Sequence, residues 1–385
     1  MLNFSFHNPT SIHFGAGQIE KIDKEIPADA KVMIIYGGGS IKKNGIFDQV
    51  VEALREREWC EFSGIEPNPN YDTLMKALPF ITDNKVDFLL AVGGGSVIDS
   101  AKFIAASAKF EGGEPWDIIA KRAPITQALP LGAVLTLPAT GSESNSSGVV
   151  TRNGHKLPFA NKLLRPQFAV LDPQVTLSLS DRQISNGIVD AFVHVMEQYL
   201  TYDVNAKVQD RISEGLLLTL IEEGPKALAS ETKDDLDVRA NAMWCATLAL
   251  NGLIAAGVPQ DWTAHMIGHE LTGLYGIDHA RTLSITYPAV MKVCRDAKRG
   301  KLLQYGERVW NVVDGSEDQR IDKAIELTEG FFKTMKVPTR LSELELGASH
   351  IDDVLEKLRQ HGMVALGEKR EVTPEISRVI LETAL

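Results

Sequence analysis

Cysteine is scarce in this chain: Cys60, Cys245 and Cys294 are the only three in 385 residues, odd in number and without a CxxC spacing. A disulfide framework and a thiolate zinc site are both poor fits, and three lone structural thiols suit a reducing compartment. A basic block is also lacking. The net charge is 40 minus 51, or -11, with no cluster of Lys and Arg, which makes nucleic acid and anionic membranes poor partners. No apolar run is long enough to span a bilayer; the richest, Trp244 to Val258, is broken by Thr247 and Asn251. The opening MLNFSFHNPTSIHFG has neither a basic n-region nor a cleavable apolar segment. The expectation is a cytoplasmic protein with no nucleic-acid and no membrane partner.

What is present is a core-forming composition whose texture changes once. With 44% hydrophobic residues, the chain can bury a core in each of two domains. Short β-branched runs recur up to about residue 178: KVMIIY (31–36), VDFLLAV (86–92), GAVLTLPA (132–139) and QFAVLDP (167–173). Near-continuous apolar runs alternating with helical stretches predict a mainly parallel sheet covered on both faces. From 179 to 385 helical patterns take over, as in QISNGIVDAFVHVMEQYL, VQDRISEGLLLTLIEEGPKALAS, LDVRANAMWCATLALNGLIAAG, RGKLLQYGERVWNVV and DQRIDKAIELTEGFFKTM. SEDQ at 316–319 and TPE at 373–375 read as helix starts. The fold expectation is an α/β domain over 1–178 and an all-helical domain over 179–385.

The sharpest chemical signal lies in the helical part. Asp190 and His194 stand four apart in NGIVDAFVHVMEQY, so one helix face presents both. His265, His269 and His279 follow in HMIGHELTGLYGIDH, which places four of the nine histidines in two short windows. Asp190, His194 and His265 can grip one ion, with His279 completing the shell. Three imidazoles and a carboxylate suit a borderline divalent ion, Zn2+ or Fe2+, acting as a Lewis acid. A metalloprotease is a poor reading of HMIGH, because Met266 stands where the general-base Glu belongs. His7, His13, His155, His350 and His361 read as ordinary histidines.

Two glycine clusters follow predicted strands. In AVGGGSVIDSAK, Gly93, Gly94, Gly95 and Ser96 lead into a helix carrying Asp99 and Lys102. Glycines let a phosphate approach the backbone, and a helix N-terminus offers amide donors and a favourable dipole, so this reads as a pyrophosphate cradle. The pattern is not GxGxxG, and a tight turn alone would also use glycine. In YGGGSIKKNG, Gly37, Gly38, Gly39 and Ser40 precede Lys42 and Lys43. This is where an adenosine ribose would sit. The lack of an acid at its start, with hydroxyl and ammonium groups beyond, suits the 2′-phosphate of NADP(H) rather than the 2′-OH of NAD.

GGGSVIDSAK, LPATGSE at 137–143, NGIVDAFVHVMEQYL and HMIGHELTGLYGIDHA together resemble the iron-containing (group III) alcohol dehydrogenases. The resemblance runs from IHFGAG to the final helices and is strongest to the bacterial NADPH-dependent aldehyde reductase and butanol dehydrogenase branch. It implies a Rossmann-like dinucleotide-binding domain, a dehydroquinate synthase-like helical domain, a catalytic metal in the cleft and a homodimer. The family's metal ligands fall on Asp190, His194, His265 and His279, and His269 is its second cleft histidine, near the substrate. The phosphate loop falls on Gly93 to Ser96, the cofactor-facing threonines on Thr136 and Thr140, and a ribose-contacting lysine on Lys156. Asp99 and Asn145 are implied near the nicotinamide or substrate, although Asp99 also fits as a first-turn helix acid. Where NAD-using relatives carry Asp after the first strand, this chain has Gly37.

The expected reaction is reversible hydride transfer between NADPH and a small aldehyde, with the metal polarising the carbonyl and His269, a bound water or the ribose hydroxyls relaying the proton. The nearer alternative is an NAD-linked polyol dehydrogenase. A dehydroquinate synthase-type lyase would need cations around the metal for its anionic substrate, yet neither 187–199 nor 264–280 contains Lys or Arg.

Overall fold

A computed structural model describes residues 1–385. The chain divides into two compact units, His7–Leu179 and a second made of Met1–Phe6 with Ser180–Leu385. The first six residues thus group with the helical unit and not with the sheet that follows them; Leu2 N–H donates to Gly257 C=O at 2.9 Å.

In the first unit, strands β1 (Ser11–Phe14), β2 (Val32–Tyr36), β3 (Trp59–Phe62), β4 (Phe88–Gly94), β5 (Leu131–Leu137) and β8 (Phe168–Leu171) form one sheet in the order β1-β8-β5-β4-β2-β3. Every pairing in it is parallel. All of β2 and β8 is buried, the physical reason these segments are apolar at successive positions and not at alternate ones. Phe88 and Phe168 stack at 6.2 Å across the sheet. The chain steps outward from β2 to β3 and then returns to β4 on the other side of β2, so the strand order reverses between β2 and β4. Ligands of open α/β sheets bind beyond the carboxyl ends of the strands at such a reversal. Tyr36 pairs with Val92, which brings the two glycine clusters to that one edge. Strands β6 (Ser147–Arg152) and β7 (His155–Ala160) form a separate antiparallel hairpin, turning through Asn153 (φ 53°) and Gly154 (φ 75°), the conformation Asn-Gly turns favour.

The second unit is helical. Ser180 closes a capping box with Gln183 to start Asp181–Tyr199, and Ser316 does the same with Gln319 for Glu317–Thr334, satisfying two otherwise orphaned amides at each start. Phe192 from the first of these packs against Phe331 and Phe332 from the second, at 5.1 and 5.6 Å between ring centres. One expected helix is too long: LDVRANAMWCATLALNGLIAAG is helical only over Leu236–Leu250. The Asn251 side chain accepts from Leu253 N–H at 3.0 Å and Gly252 takes φ 95°, a local turn that outcompetes the next helical hydrogen bond. No helix is long and apolar enough to cross a membrane.

Candidate functional site

Asp190 and His194 project from the Asp181–Tyr199 helix, His265 and His269 from Thr263–Tyr275, and His279 opens His279–Val293. All but His279 are at most 5% exposed. Asp190 Oδ1 is buried and accepts no hydrogen bond; it lies 3.8 Å from His194 Nδ1, 3.8 Å from His265 Nε2 and 4.0 Å from His279 Nε2. A carboxylate oxygen in that position is costly unless a cation shares the space. The ligand atoms of Asp190, His265 and His279 all lie within 4.8 Å of one another. Ligands around a tetrahedral ion with bonds near 2.1 Å sit roughly 3.4 Å apart, so the 3.8–4.0 Å from Asp190 Oδ1 to the imidazole nitrogens is a few tenths of an ångström wider than in a filled cage. His194 stands beside this triad, its ring stacked 4.5 Å from that of His265. His269 is one helical turn beyond His265, with its ring 4.8 Å from that of His279, outside the compact triad.

The surroundings hold these side chains in place. Glu197, three residues past His194 and 2% exposed, sets its Oε2 against His265 Nδ1, while Oε1 accepts from Ala264 N–H at 2.8 Å and His265 N–H at 3.3 Å. Burial, reinforced by nearby Asp261, pushes the Glu197 carboxyl well up from its ordinary range; a divalent cation in the cage acts in the opposite sense. Gln198 Nε2 donates to His194 C=O at 2.6 Å and Ala249 C=O at 2.8 Å. Asp278, just before His279, takes Arg182 at 2.6 Å and Asn186 at 2.7 Å and lies 3.7 Å from Arg281. Burial opposes its ionisation, but the hydrogen bonds from Arg182 and Asn186 outweigh it and keep the carboxyl below the usual value. The cations nearest the cage in sequence are thus turned to Asp278. Sequence reasoning missed Glu197, although Asp190, His194 and Glu197 at i, i+4 and i+7 share one face.

In the sheet unit, β4 runs directly into Gly95–Ser107, whose first turn no side chain caps. A Cβ at Gly93 would lie 2.5 Å from Val97 Cγ2, one at Gly94 3.0 Å from Leu137 Cβ, and one at Gly95 2.6 Å from Thr140 Oγ1. Packing alone forbids side chains at 93 and 95, and the result is a strand end with bare backbone at a helix N-terminus. Ser96 and Thr136 are half-buried beside it. Thr140 Oγ1 accepts from Ser142 N–H at 3.2 Å.

Asp99 and Asn145, expected at the nicotinamide or substrate, are engaged within the sheet unit itself. Asp99 accepts from Ser142 Oγ at 2.6 Å and from Val149 N–H at 3.0 Å. Asn145 Oδ1 accepts from Lys102 Nζ at 2.9 Å and Ser147 N–H at 3.1 Å. Lys102 is fully buried and also donates to Ser142 Oγ at 2.8 Å and Ser147 C=O at 2.7 Å; burial pulls its pKa down to about 8. These contacts fasten segment 140–149 to the Gly95–Ser107 helix, and Lys102, whose only sequence signal was a Lys three residues after Asp99, is their hub. Burial raises the Asp99 carboxyl above its ordinary range, and Lys102 and, more weakly, buried Lys156 oppose that rise.

At the other cluster, Gly37 C=O accepts from Gly64 N–H at 3.0 Å, Gly39 takes φ 88°, and Ser40–Lys43 forms one helical turn. Lys42 does not stand alone here. Its Nζ lies 2.7 Å from Glu61 Oε2, which also accepts from Tyr36 OH at 2.7 Å, and 4.6 Å above the Phe47 ring. The cluster itself has no acid at its start, as read from the sequence, but β3 brings Glu61 to this edge from 24 residues along the chain from Gly37, through a strand pairing that sets Ile34 opposite Glu61.

Comparison with known proteins agrees with this architecture. The model of the iron-containing alcohol dehydrogenase domain matches residues 9–173, and that of the family's C-terminal domain matches 184–380. The chain is 55% identical to the NADPH-dependent aldehyde reductase YqhD of Escherichia coli over 100% of both chains, and the crystal structure of that protein covers 100% of this chain and 99% of its own with a TM-score of 0.98. It is 41% identical to NADP-dependent alcohol dehydrogenase 3 of Entamoeba histolytica over 93% of each. The crystal structure of NADH-dependent butanol dehydrogenase A from Thermotoga maritima is 36% identical, covering 100% of this chain and 99% of that one with a TM-score of 0.94. A match of both domain models along nearly the whole length leaves one assignment: the chain belongs to the iron-containing alcohol dehydrogenase family.

Proposed function

We propose that this protein is an NADPH-dependent, metal-dependent reductase of small aldehydes, acting reversibly as an alcohol dehydrogenase. The observation that carries the reading is Asp190 Oδ1, a buried carboxylate oxygen with no hydrogen bond that faces nitrogens of three imidazoles at 3.8–4.0 Å, in a chain 55% identical end to end to an NADPH-dependent aldehyde reductase.

Asp190, His194, His265 and His279 would hold the ion, Zn2+ or Fe2+; Gly93 to Ser96, Thr136, Thr140 and Lys156 would hold the nicotinamide cofactor, and Gly37 to Ser40 with Lys42 its adenosine end. When bound, the metal supplies a Lewis acid and NADPH supplies the hydride. The chain itself binds, orients and delivers a proton. The uncapped amides at the start of Gly95–Ser107, left open by the lack of side chains at 93 and 95, would receive the pyrophosphate. Lys102, Asp99 and Asn145 keep segment 140–149 fixed, so that Thr140 keeps its place. His269, one helical turn beyond His265, would relay the proton that the alcohol product requires, a role that a bound water or the ribose hydroxyls could share. The three cysteines are unpaired, which suits the cytoplasm, and the family resemblance supports a homodimer acting on a small aldehyde or alcohol.

The test is oxidation of NADPH and NADH by protein of measured metal content with a panel of short aldehydes. Consumption of NADPH that depends on both aldehyde and metal supports the reading. Fully loaded protein that turns over none of the panel, yet reduces NAD with polyols, overturns it. A second expectation separates His269 from the ligands. His269→Ala should keep the ion at wild-type stoichiometry and lose rate by roughly 10²-fold or more, as for removal of a general acid. Loss of the metal on this substitution would make His269 a ligand instead.

A further inference from the structure

We propose that Glu197 is the positioning residue that prepares His265 for the ion, by fixing which of its ring nitrogens carries the proton. The inference rests on reading Asp190, His194, His265 and His279 as ligands. A neutral imidazole has one N–H, and Glu197 in the ionised form that a cation in the cage favours can only accept. With Glu197 Oε2 against Nδ1, the proton belongs on Nδ1 and the lone pair on Nε2. That nitrogen is the one 3.8 Å from Asp190 Oδ1.

The carboxylate cannot turn away. Its other oxygen accepts from Ala264 and His265 N–H, so Glu197, borne on Asp181–Tyr199, caps the start of Thr263–Tyr275. Its own backbone C=O accepts from Asp261 N–H at 2.9 Å. Asp261 in turn accepts from Thr263 N–H at 2.9 Å and pairs with Lys298 at 2.9 Å. Lys298 is further held by Leu200 C=O at 2.7 Å and Glu368 at 2.9 Å. Glu197 therefore ties the helix that bears Asp190 and His194 to the helix that bears His265, at the one point where the tie also sets a tautomer.

A purely structural cap and a tautomer-setting partner part ways on one substitution. Glutamine keeps the shape and its Oε1 still accepts from the two backbone amides, which fixes its orientation. Its Nε2 then presents N–H to His265 Nδ1. The ring must accept there, the proton moves to His265 Nε2, and the lone pair meant for the ion is lost. Outer carboxylate partners of metal-bound histidines change metal affinity by about 10- to 100-fold when removed, and a reversed tautomer belongs at the upper end.

The experiment strips the full-length wild type, Glu197→Gln and His265→Ala with a chelator, reloads each with Co2+ and with Zn2+, and measures affinity by competition with a chromophoric chelator and the visible bands of the Co2+ forms. The expected result is a Glu197→Gln protein with native circular dichroism, NADPH affinity unchanged, metal affinity lower by about 10- to 100-fold and altered Co2+ bands. If His265→Ala weakens the metal while Glu197→Gln binds it with wild-type affinity and bands, Glu197 is a cap and the inference is overturned. If His265→Ala itself keeps wild-type affinity, the ligand reading falls and takes the inference with it. Should Glu197→Gln fail to fold, 15N spectra of histidine-labelled, Zn2+-loaded wild type decide: a His265 that keeps its proton on Nδ1 and binds through Nε2 supports the inference, and one that binds through Nδ1 overturns it.

Discussion

His265→Ala is expected to lose the metal and aldehyde reduction together, with turnover down on the order of 10³-fold or more. The estimate follows from what is removed: a Lewis acid contributes several kcal/mol of charge stabilisation, and each 1.4 kcal/mol is about a factor of ten in rate. The side chain taken away is 5% exposed and sits at the meeting point of the cage and the Glu197 tie, so the loss is local to the helical unit. NADPH binding should persist, because the unit His7–Leu179 has its own core, with Val32, Ile34, Leu90, Val134 and Val170 fully buried in one cluster. Metal content by atomic emission, turnover with an aldehyde and fluorescence titration with NADPH check the three statements separately. A variant that keeps wild-type turnover after exhaustive chelation would mean that the ion is structural or that catalysis does not use it.

Much of this arrangement was legible in the chain because it is local. Asp190 and His194 share a helix face by spacing alone, and the apolar runs of β2, β4, β5 and β8 announce strands buried on both sides. The failures are of two kinds. Some signals were present and unread: Asn153-Gly154 between β-prone runs marks the β6–β7 hairpin, and Glu197 continues the Asp190–His194 face. Others depend on pairings that no spacing carries. Glu61 reaches Lys42 only because β3 pairs with β2, and Asp99 and Asn145 are linked through Ser142 and Lys102 only after segment 140–149 folds back on the Gly95–Ser107 helix. The same holds for Asn251, whose side chain ends a helix that periodicity alone would have carried to Gly257. In each case a long-range or side-chain hydrogen bond decides what a residue can do, and a residue's type gives only the menu.

The cofactor should be chosen at Gly37, and here the structure sharpens the expectation. In nicotinamide sites that prefer NAD, a carboxylate at the adenosine ribose accepts from the 2′-OH and repels a 2′-phosphate; Gly37, directly after β2, does neither, and Ser40 follows at the start of a helical turn. Wild-type protein should favour NADPH over NADH by roughly tenfold or more, the equivalent of one charge-assisted hydrogen bond of about 1.5–3 kcal/mol. Lys42 contributes less than its charge suggests. It is already paired with Glu61 at 2.7 Å, so a phosphate gains only the difference between itself and that carboxylate, and Lys42→Met should cost NADPH less than Gly37→Asp does. Gly37 has no positive φ, and a Cβ there meets Ile65 C=O at 3.2 Å and Val97 Cγ2 at 4.0 Å, so the aspartate requires the Ile65 carbonyl to give by a few tenths of an ångström. Its carboxylate would add a second acid to the strand edge that carries Glu61, without a lysine partner of its own, and would repel a 2′-phosphate. Gly37→Asp is therefore expected to abolish or reverse the preference chiefly by weakening NADPH, read as kcat/KM for both cofactors at fixed aldehyde. Equal efficiency with NADPH and NADH in the unaltered protein would refute this account of the β2 edge and leave the metal cage standing.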